Sequence, residues 1–205
     1  MSSYYRQQLE EYLKTVDVKA DRVLGVGDAQ QLTKGRTKSW EVGEYKILDL
    51  EQPHKAEHKV DIMWDLNLFV ADYINWNKFN KEPGDNTAYA NYFDTIFCLE
   101  VAEYLYNPLE AMYNLSYWLK PGGILYISFP FCYPVHQPIE DDMLRYTRRG
   151  ATKLLEESGF EILEITPRTV KVASLRALYA AEKMRAAKDY PYHDEVGVII
   201  KAKKL

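Results

Sequence analysis

The segment from Phe93 to Thr147, FDTIFCLEVAEYLYNPLEAMYNLSYWLKPGGILYISFPFCYPVHQPIEDDMLRYT, constrains the fold more than any other part of the chain. Phe93, Thr95, Ile96, Phe97 and Leu99 form a short, nearly continuous apolar run, which suits a parallel strand covered on both faces. Asn107 is placed to cap a helix with Pro108 at its first position and Glu110 at its third. Leu109, Met112, Tyr113, Leu115, Tyr117, Trp118 and Leu119 give that helix an apolar face, so the spacing predicts a helix over 108–119. Lys120 complements its C-terminus and Pro121 stops it. Gly122-Gly123 allows the positive φ that returns the chain to a second buried strand, Ile124 to Phe131. Strand, helix and strand in this order make a right-handed crossover between parallel strands.

The rest of the chain continues the alternation. Tyr5, Leu9, Tyr12, Leu13 and Val16 recur at helical spacing, which predicts an N-terminal helix within residues 1–20. Strands are expected at Arg22 to Val26, Tyr45 to Leu50, Val60 to Trp64, Phe160 to Ile165 and Glu195 to Lys201, making seven in all. Thr147 is a candidate cap for a helix that Gly159 ends. A longer helix is expected over Val172 to about Lys188, and residues 75–91 read as a polar insertion. Residues Glu51 to Lys59 are too few for the usual helical crossover, so a loop is expected there. It leaves a barer sheet edge, which fits a protein partner, a second copy or simply a local economy of chain.

At 205 residues and 47% hydrophobic content, the chain fits one domain spanning 1–205. A net charge of −4 with mixed signs gives no phosphate-tracking footprint. The six basic residues Arg168, Lys171, Arg176, Lys183, Arg185 and Lys188 are interrupted by Glu182 and Asp189, as on a solvated helix face. Cys98 and Cys132 both fall near predicted strand ends and read as reduced core thiols, and two cysteines alone make no zinc site. No metal is expected. The N-terminus lacks a basic-then-apolar leader design and no apolar run reaches membrane-spanning length, so a soluble, cytoplasmic protein is expected.

An open parallel sheet binds ligands outside the carboxyl ends of its strands. After strand one stands VLGVGDAQQ, with Gly25 and Gly27 in the turn. After strand two stands Asp49-Leu50, after strand three Asp65-Leu66, and after strand four Leu99-Glu100. The loop after strand five, residues 131–147, carries His136, Asp141, Asp142, Arg145 and Tyr146.

These motifs, Leu-Lys-Pro-Gly-Gly above all, resemble the class I S-adenosylmethionine-dependent methyltransferases of the type 11-like kind. The resemblance implies a Rossmann-like α/β fold, a mostly parallel sheet of order 3-2-1-4-5-7-6 with strand seven antiparallel, and helices on both faces. It also implies S-adenosylmethionine as cofactor and S-adenosylhomocysteine as product. On this reading Gly25, Gly27, Asp49, Leu50, Asp65, Leu66, Leu99 and Glu100 line the cofactor. Asp49 accepts both ribose hydroxyls, Asp65 meets the adenine amino group, and Leu99 and Glu100 flank the methionine part.

The loop departs from the related VLDVGCGxG. Gly25 replaces the customary acid, Ala29 the second glycine and Gln31 the third. Glu103-Tyr104 stands where relatives carry Glu-His. The loop HQPIEDDMLRYT is similar to a stretch in methyltransferases of small molecules and saccharides, which implies His136 as a base and Asp141, Asp142, Arg145 and Tyr146 as acceptor contacts. A structural alternative stays open, with Arg145 bridging Asp141 or Asp142 and Thr147 capping the next helix.

The expected activity is methyl transfer to an oxygen or nitrogen of a small-molecule or saccharide acceptor. The alternative is a methyltransferase fold that has lost catalysis and serves as a binding or scaffold subunit. Nucleic-acid methylation is disfavoured: CLEV replaces the Asp/Asn-Pro-Pro-Tyr/Phe tetrapeptide, and Cys132 follows Phe131 rather than a proline. A nicotinamide oxidoreductase is disfavoured because no G-x-G-x-x-G is present.

Overall fold

Alternation of buried side chains along each strand divides the apolar residues between two faces of one sheet. The computed structural model describes residues 4–53, 55–68, 89–169 and 195–205. Seven strands, β1 (Asp17–Val26), β2 (Ser39–Asp49), β3 (Ile62–Met63), β4 (Phe93–Cys98), β5 (Leu119–Pro130), β6 (Phe160–Thr169) and β7 (Glu195–Lys204), form a sheet of order β3-β2-β1-β4-β5-β7-β6. Strands β1 to β5 pair in parallel, and β7 is antiparallel to both β5 and β6. This is the expected order.

Helices α1 (Tyr4–Leu13), α2 (Pro108–Trp118) and α3 (Arg148–Glu157) cover the sheet, with a 3₁₀ turn at Ala102–Tyr104. Leu24, Ile96, Leu125 and Ala202 lie in one register row and face α2 and α3, with Trp118, Leu115, Met112 and Leu155 packed over them. The neighbouring positions Val23, Phe97, Tyr126 and Ile199 face the other side, under Leu9 and Leu13 of α1. Phe97 stacks on Tyr126 with ring centroids 4.8 Å apart. Truncating a fully buried residue such as Ile96 costs about 2–5 kcal/mol, because a packed interior collapses only partly around the cavity.

Several strands run longer than their apolar runs predict. β1 begins at Asp17 and β2 at Ser39, where exposed residues alternate with buried or half-buried ones. β3 is shorter than expected, only Ile62–Met63. The link from β2 to β3 has no helix among the described residues, as its length requires. The link from β1 to β2 also has none: residues 27–38 form turns, and the Lys38 N–H bonds the Leu13 and Val16 carbonyls at 3.2 and 3.0 Å. α1 therefore covers the face that a crossover helix there would have covered.

Asn107 is the N-cap residue of α2 but its side chain makes no capping bond; its backbone N–H instead donates to Asn67 Oδ1 at 3.0 Å. Pro108 already removes one of the orphan N–H groups, so less is left to cap. Thr147 does cap α3, its Oγ1 accepting the Gly150 N–H at 3.1 Å. Cys98 is a buried free thiol, whereas Cys132 is exposed, since the chain leaves the sheet at Pro130. The helix expected over 172–188 and nearly all of the 75–91 insertion lie outside the described residues. No helix among the described residues is long and apolar enough to cross a membrane.

Candidate functional site

The carboxyl ends of β1, β2, β4 and β5 converge on one edge of the sheet, and the candidate residues stand there. After β1 the chain turns at Gly27, whose φ of +72° suits glycine and whose N–H donates to the Leu48 carbonyl at 2.9 Å. Gly25 leaves room for its neighbours: the Asp28 carboxylate and the Tyr45 hydroxyl occupy the space beside it. Asp28 is buried, accepts the Thr33 N–H at 2.7 Å and takes the Tyr45 hydroxyl. Burial raises its carboxyl pKa, while Tyr45 and Thr33 oppose that rise.

Asp49 ends β2 half buried. Its Oδ1 accepts the Leu50 N–H at 2.9 Å, and the Ala29 N–H also acts on the carboxylate. Burial nevertheless holds its pKa above the ordinary carboxylate value. A carboxylate offers about four acceptor positions, so capacity remains for two hydroxyls. Leu50 beside it is exposed. Asp65 turns inward locally, its Oδ1 accepting both the backbone and side-chain N–H groups of Asn67 at 2.9 Å. Leu66 and Leu99 are buried in the two apolar clusters and supply walls rather than polar contacts.

Glu100 follows β4 with a φ of +58°, an uncommon conformation for a non-glycine residue. Interactions from two other strands hold it there. Arg168 near the end of β6 donates from Nη1 to Oε1 at 2.6 Å and from Nη2 to Oε2 at 3.1 Å. The Ser128 hydroxyl donates to Oε1 at 2.8 Å and accepts the Glu100 N–H at 2.8 Å. Burial pushes the Glu100 carboxyl up, but Arg168 outweighs it and the group sits below its ordinary pKa.

His136 lies over the adjoining turn. Its Nδ1 is 3.0 Å from the Tyr104 hydroxyl and its Nε2 is 3.5 Å from Glu103 Oε1. The Tyr104 hydroxyl also reaches the Gln137 carbonyl at 3.1 Å. Glu103 is 2% exposed, and its Oε2 has no hydrogen-bond partner among the described residues. Burial raises the Glu103 carboxyl pKa, against the pull of His136. In return Glu103 raises the His136 pKa above its ordinary value, although desolvation works the other way. A buried carboxylate facing a half-buried imidazole and a phenol can hold, orient and pass a proton.

The acidic and basic residues of the following loop serve one another. Arg145 bonds Asp142 through two nitrogens, at 2.5 and 2.8 Å, and the Tyr133 carbonyl through Nε at 3.0 Å. Asp142 in turn accepts the His136 backbone N–H at 2.8 Å. Arg145 is the main cause of the lowered Asp142 pKa. This is the internal bridge that the sequence left as the alternative to an acceptor clamp. Tyr146 is also turned inward: its ring packs on Phe129 and its hydroxyl donates to the Ala102 carbonyl at 2.8 Å. Asp141 is exposed, its N–H bonded to the Pro138 carbonyl at 3.2 Å.

The contributions of Asp28 and Arg168 were not drawn from the sequence. Asp28 carried a signal, an acid three residues beyond the glycine that replaces one. Arg168 carried none, since 68 residues separate it from Glu100. A shallow hollow of about 440 Å³ opens at the opposite end of the sheet, lined by Lys19, Asp21, Glu41 and Asp94 among others, and no candidate residue reaches it.

Residues 73–127 match the methyltransferase domain family Methyltransf_11. No curated protein matches the chain in sequence. An S-adenosylmethionine-dependent methyltransferase from Mesorhizobium loti is similar in structure at a TM-score of 0.56 and 14% identity, over 98% of either chain. The N-methyltransferase NodS of Bradyrhizobium japonicum WM9, solved with S-adenosylhomocysteine, gives 0.56 at 16% identity over 97% of this chain and 85% of that one. The [4+2]-cyclase SpnF gives 0.54 at 18%, over 96% and 80%. The strand order and these likenesses define a class I methyltransferase fold. The domain match over residues 73–127 adds a likeness in sequence to S-adenosylmethionine-dependent methyltransferases for that part of the chain.

Proposed function

We propose that the protein transfers a methyl group from S-adenosylmethionine to an oxygen or nitrogen of a small-molecule or saccharide acceptor in the cytoplasm. The observation that carries this reading is His136, held by Tyr104 and Glu103 beside the strand ends where Asp49 and Glu100 stand. The residues fit the cofactor. Asp49 has acceptor capacity for the ribose hydroxyls, Gly27 makes the turn, Leu66 and Leu99 offer apolar walls, and Glu100, held by Arg168 and Ser128, closes the end of β4. S-adenosylmethionine when bound supplies a methyl group already activated by its sulfonium, so the chain need only align the acceptor and receive its proton. His136 receives that proton, and the buried Glu103 stabilises the imidazolium that results.

Asp142 and Arg145 act one step back, fixing the His136 backbone rather than the acceptor. Of the acceptor contacts expected from sequence, only Asp141 presents an exposed carboxylate. The fold alone does not decide the chemistry, as the cyclase SpnF illustrates.

The test is an acceptor screen. The protein is incubated with S-adenosylmethionine and hydroxyl- or amine-bearing metabolites and saccharides, and S-adenosylhomocysteine is measured. With an accepted substrate, His136→Ala should lower turnover about 10²–10⁴-fold, the usual weight of general base catalysis, with cofactor binding intact. Unchanged turnover across neutral pH removes the base role.

A further inference from the structure

The loop after β1 departs from the related glycine-rich pattern at Gly25, Ala29 and Gln31, and each of these positions has a partner. Gln31 Oε1 accepts from the Arg6 guanidinium of α1. Ala29 is fully buried, and its carbonyl takes the N–H groups of Glu57 and His58 at 2.8 and 2.9 Å, binding the loop to the β2–β3 link. At Gly25 the replacement is a matter of volume. A Cβ built there would lie 2.5 Å from the Tyr45 hydroxyl and 2.7 Å from Asp28 Cγ. No atom pair packs that closely without moving, so the space of a side chain at 25 is already filled by the Asp28 carboxylate.

Building on the cofactor reading above, we propose that Asp28 is a positioning residue: its carboxylate, set three residues downstream, braces the rebuilt cofactor loop from the space that Gly25 vacates. Its Oδ2 joins two elements, taking the Tyr45 hydroxyl from β2 and the Thr33 N–H from the far end of the turn. On the other side of it Gly27 donates its N–H to the Leu48 carbonyl, next to Asp49, at 2.9 Å. A displaced Asp28 therefore disturbs the carboxylate that meets the ribose. The substituted loop is a rebuilt one, and Gly25 and Asp28 depend on each other.

That dependence is the test. Gly25→Asp, Asp28→Gly and the double variant are compared in the full chain, by calorimetric titration with S-adenosylhomocysteine and by amide hydrogen exchange at Thr33. Each single change should accelerate Thr33 exchange and weaken binding about tenfold or more, the weight of a buried charged hydrogen bond. The double variant should recover both readouts, because a carboxylate again stands in the same space. A double variant no better than the worse single overturns the proposal, as does wild-type exchange and affinity in Asp28→Gly. Should Gly25→Asp fail to fold, Tyr45→Phe removes one hydroxyl only; faster Thr33 exchange is expected, and unchanged exchange overturns the brace. Recovered exchange in chains that never bind S-adenosylhomocysteine supports the brace and refutes the cofactor reading. Binding without recovery refutes the brace alone.

Discussion

Replacing Arg168 by methionine removes the guanidinium that holds Glu100 and leaves a carboxylate enclosed at the end of β4. The Arg168 side chain is 3% exposed and that of Glu100 28%. Breaking one side of a fully buried pair costs about 3–5 kcal/mol, because the remaining charge keeps its desolvation penalty. Glu100 retains the Ser128 hydroxyl and some solvent, which brings the expected loss to about 2–4 kcal/mol. Urea unfolding at neutral pH measures it directly. Glu100→Gln alone strands the arginine instead, whereas the double variant Arg168→Met/Glu100→Gln removes both charges and should recover most of the loss. The sign with pH is also fixed. Arg168 holds the Glu100 carboxyl below its ordinary pKa, so the stabilisation is present at neutral pH and is lost as pH falls through the folded-state pKa. The gap between wild type and Arg168→Met should therefore narrow on acidification. A single-variant loss below about 1 kcal/mol, the range of an exposed pair, would refute the reasoning. Strict additivity in the double variant would refute it too.

Other outcomes follow from the same contacts. Glu103 is the leading cause of the raised His136 pKa. Glu103→Gln should thus move the His136 titration, followed by its ring proton shifts in NMR, to lower pH, and the rising limb of the pH–rate profile should move with it. An unmoved titration would show that the 3.5 Å contact carries no charge interaction. Thr147→Ala removes the bond to the Gly150 N–H and should cost about 1 kcal/mol in unfolding free energy. A variant as stable as wild type would show that water caps α3 equally well.

Local punctuation made the middle of the chain legible. Pro121 and Gly122-Gly123 marked the break after α2, and Gly122 does adopt a φ of +77°, although β5 already begins at Leu119 and passes through them with a register shift before Ile124. Thr147 was likewise readable as a cap, because a cap is a bond over three residues. The strand ends were readable as the place of the site, since topology alone brings Gly27, Asp49 and Glu100 to one edge. What one residue does with another was harder to read. Asp142 and Arg145 are three apart, and their pairing stood in the sequence only as one of two options. Arg168 and Glu100 meet only because the sheet sets the carboxyl ends of β6 and β4 on the same edge, across β5 and β7. The loop after β1 looked eroded by its pattern, and only the volume beside Gly25 shows that Asp28 fills it. Asn107 looked like a cap by type, yet tertiary contact with Asn67 engaged its backbone instead.

Calorimetric titration of wild type and Asp49→Ala with S-adenosylmethionine tests the central claim most directly. Saturable wild-type binding is expected, weakened about tenfold or more in the variant by loss of charge-assisted bonds to the ribose hydroxyls. No wild-type binding at millimolar ligand, or equal affinity in the two proteins, would contradict it.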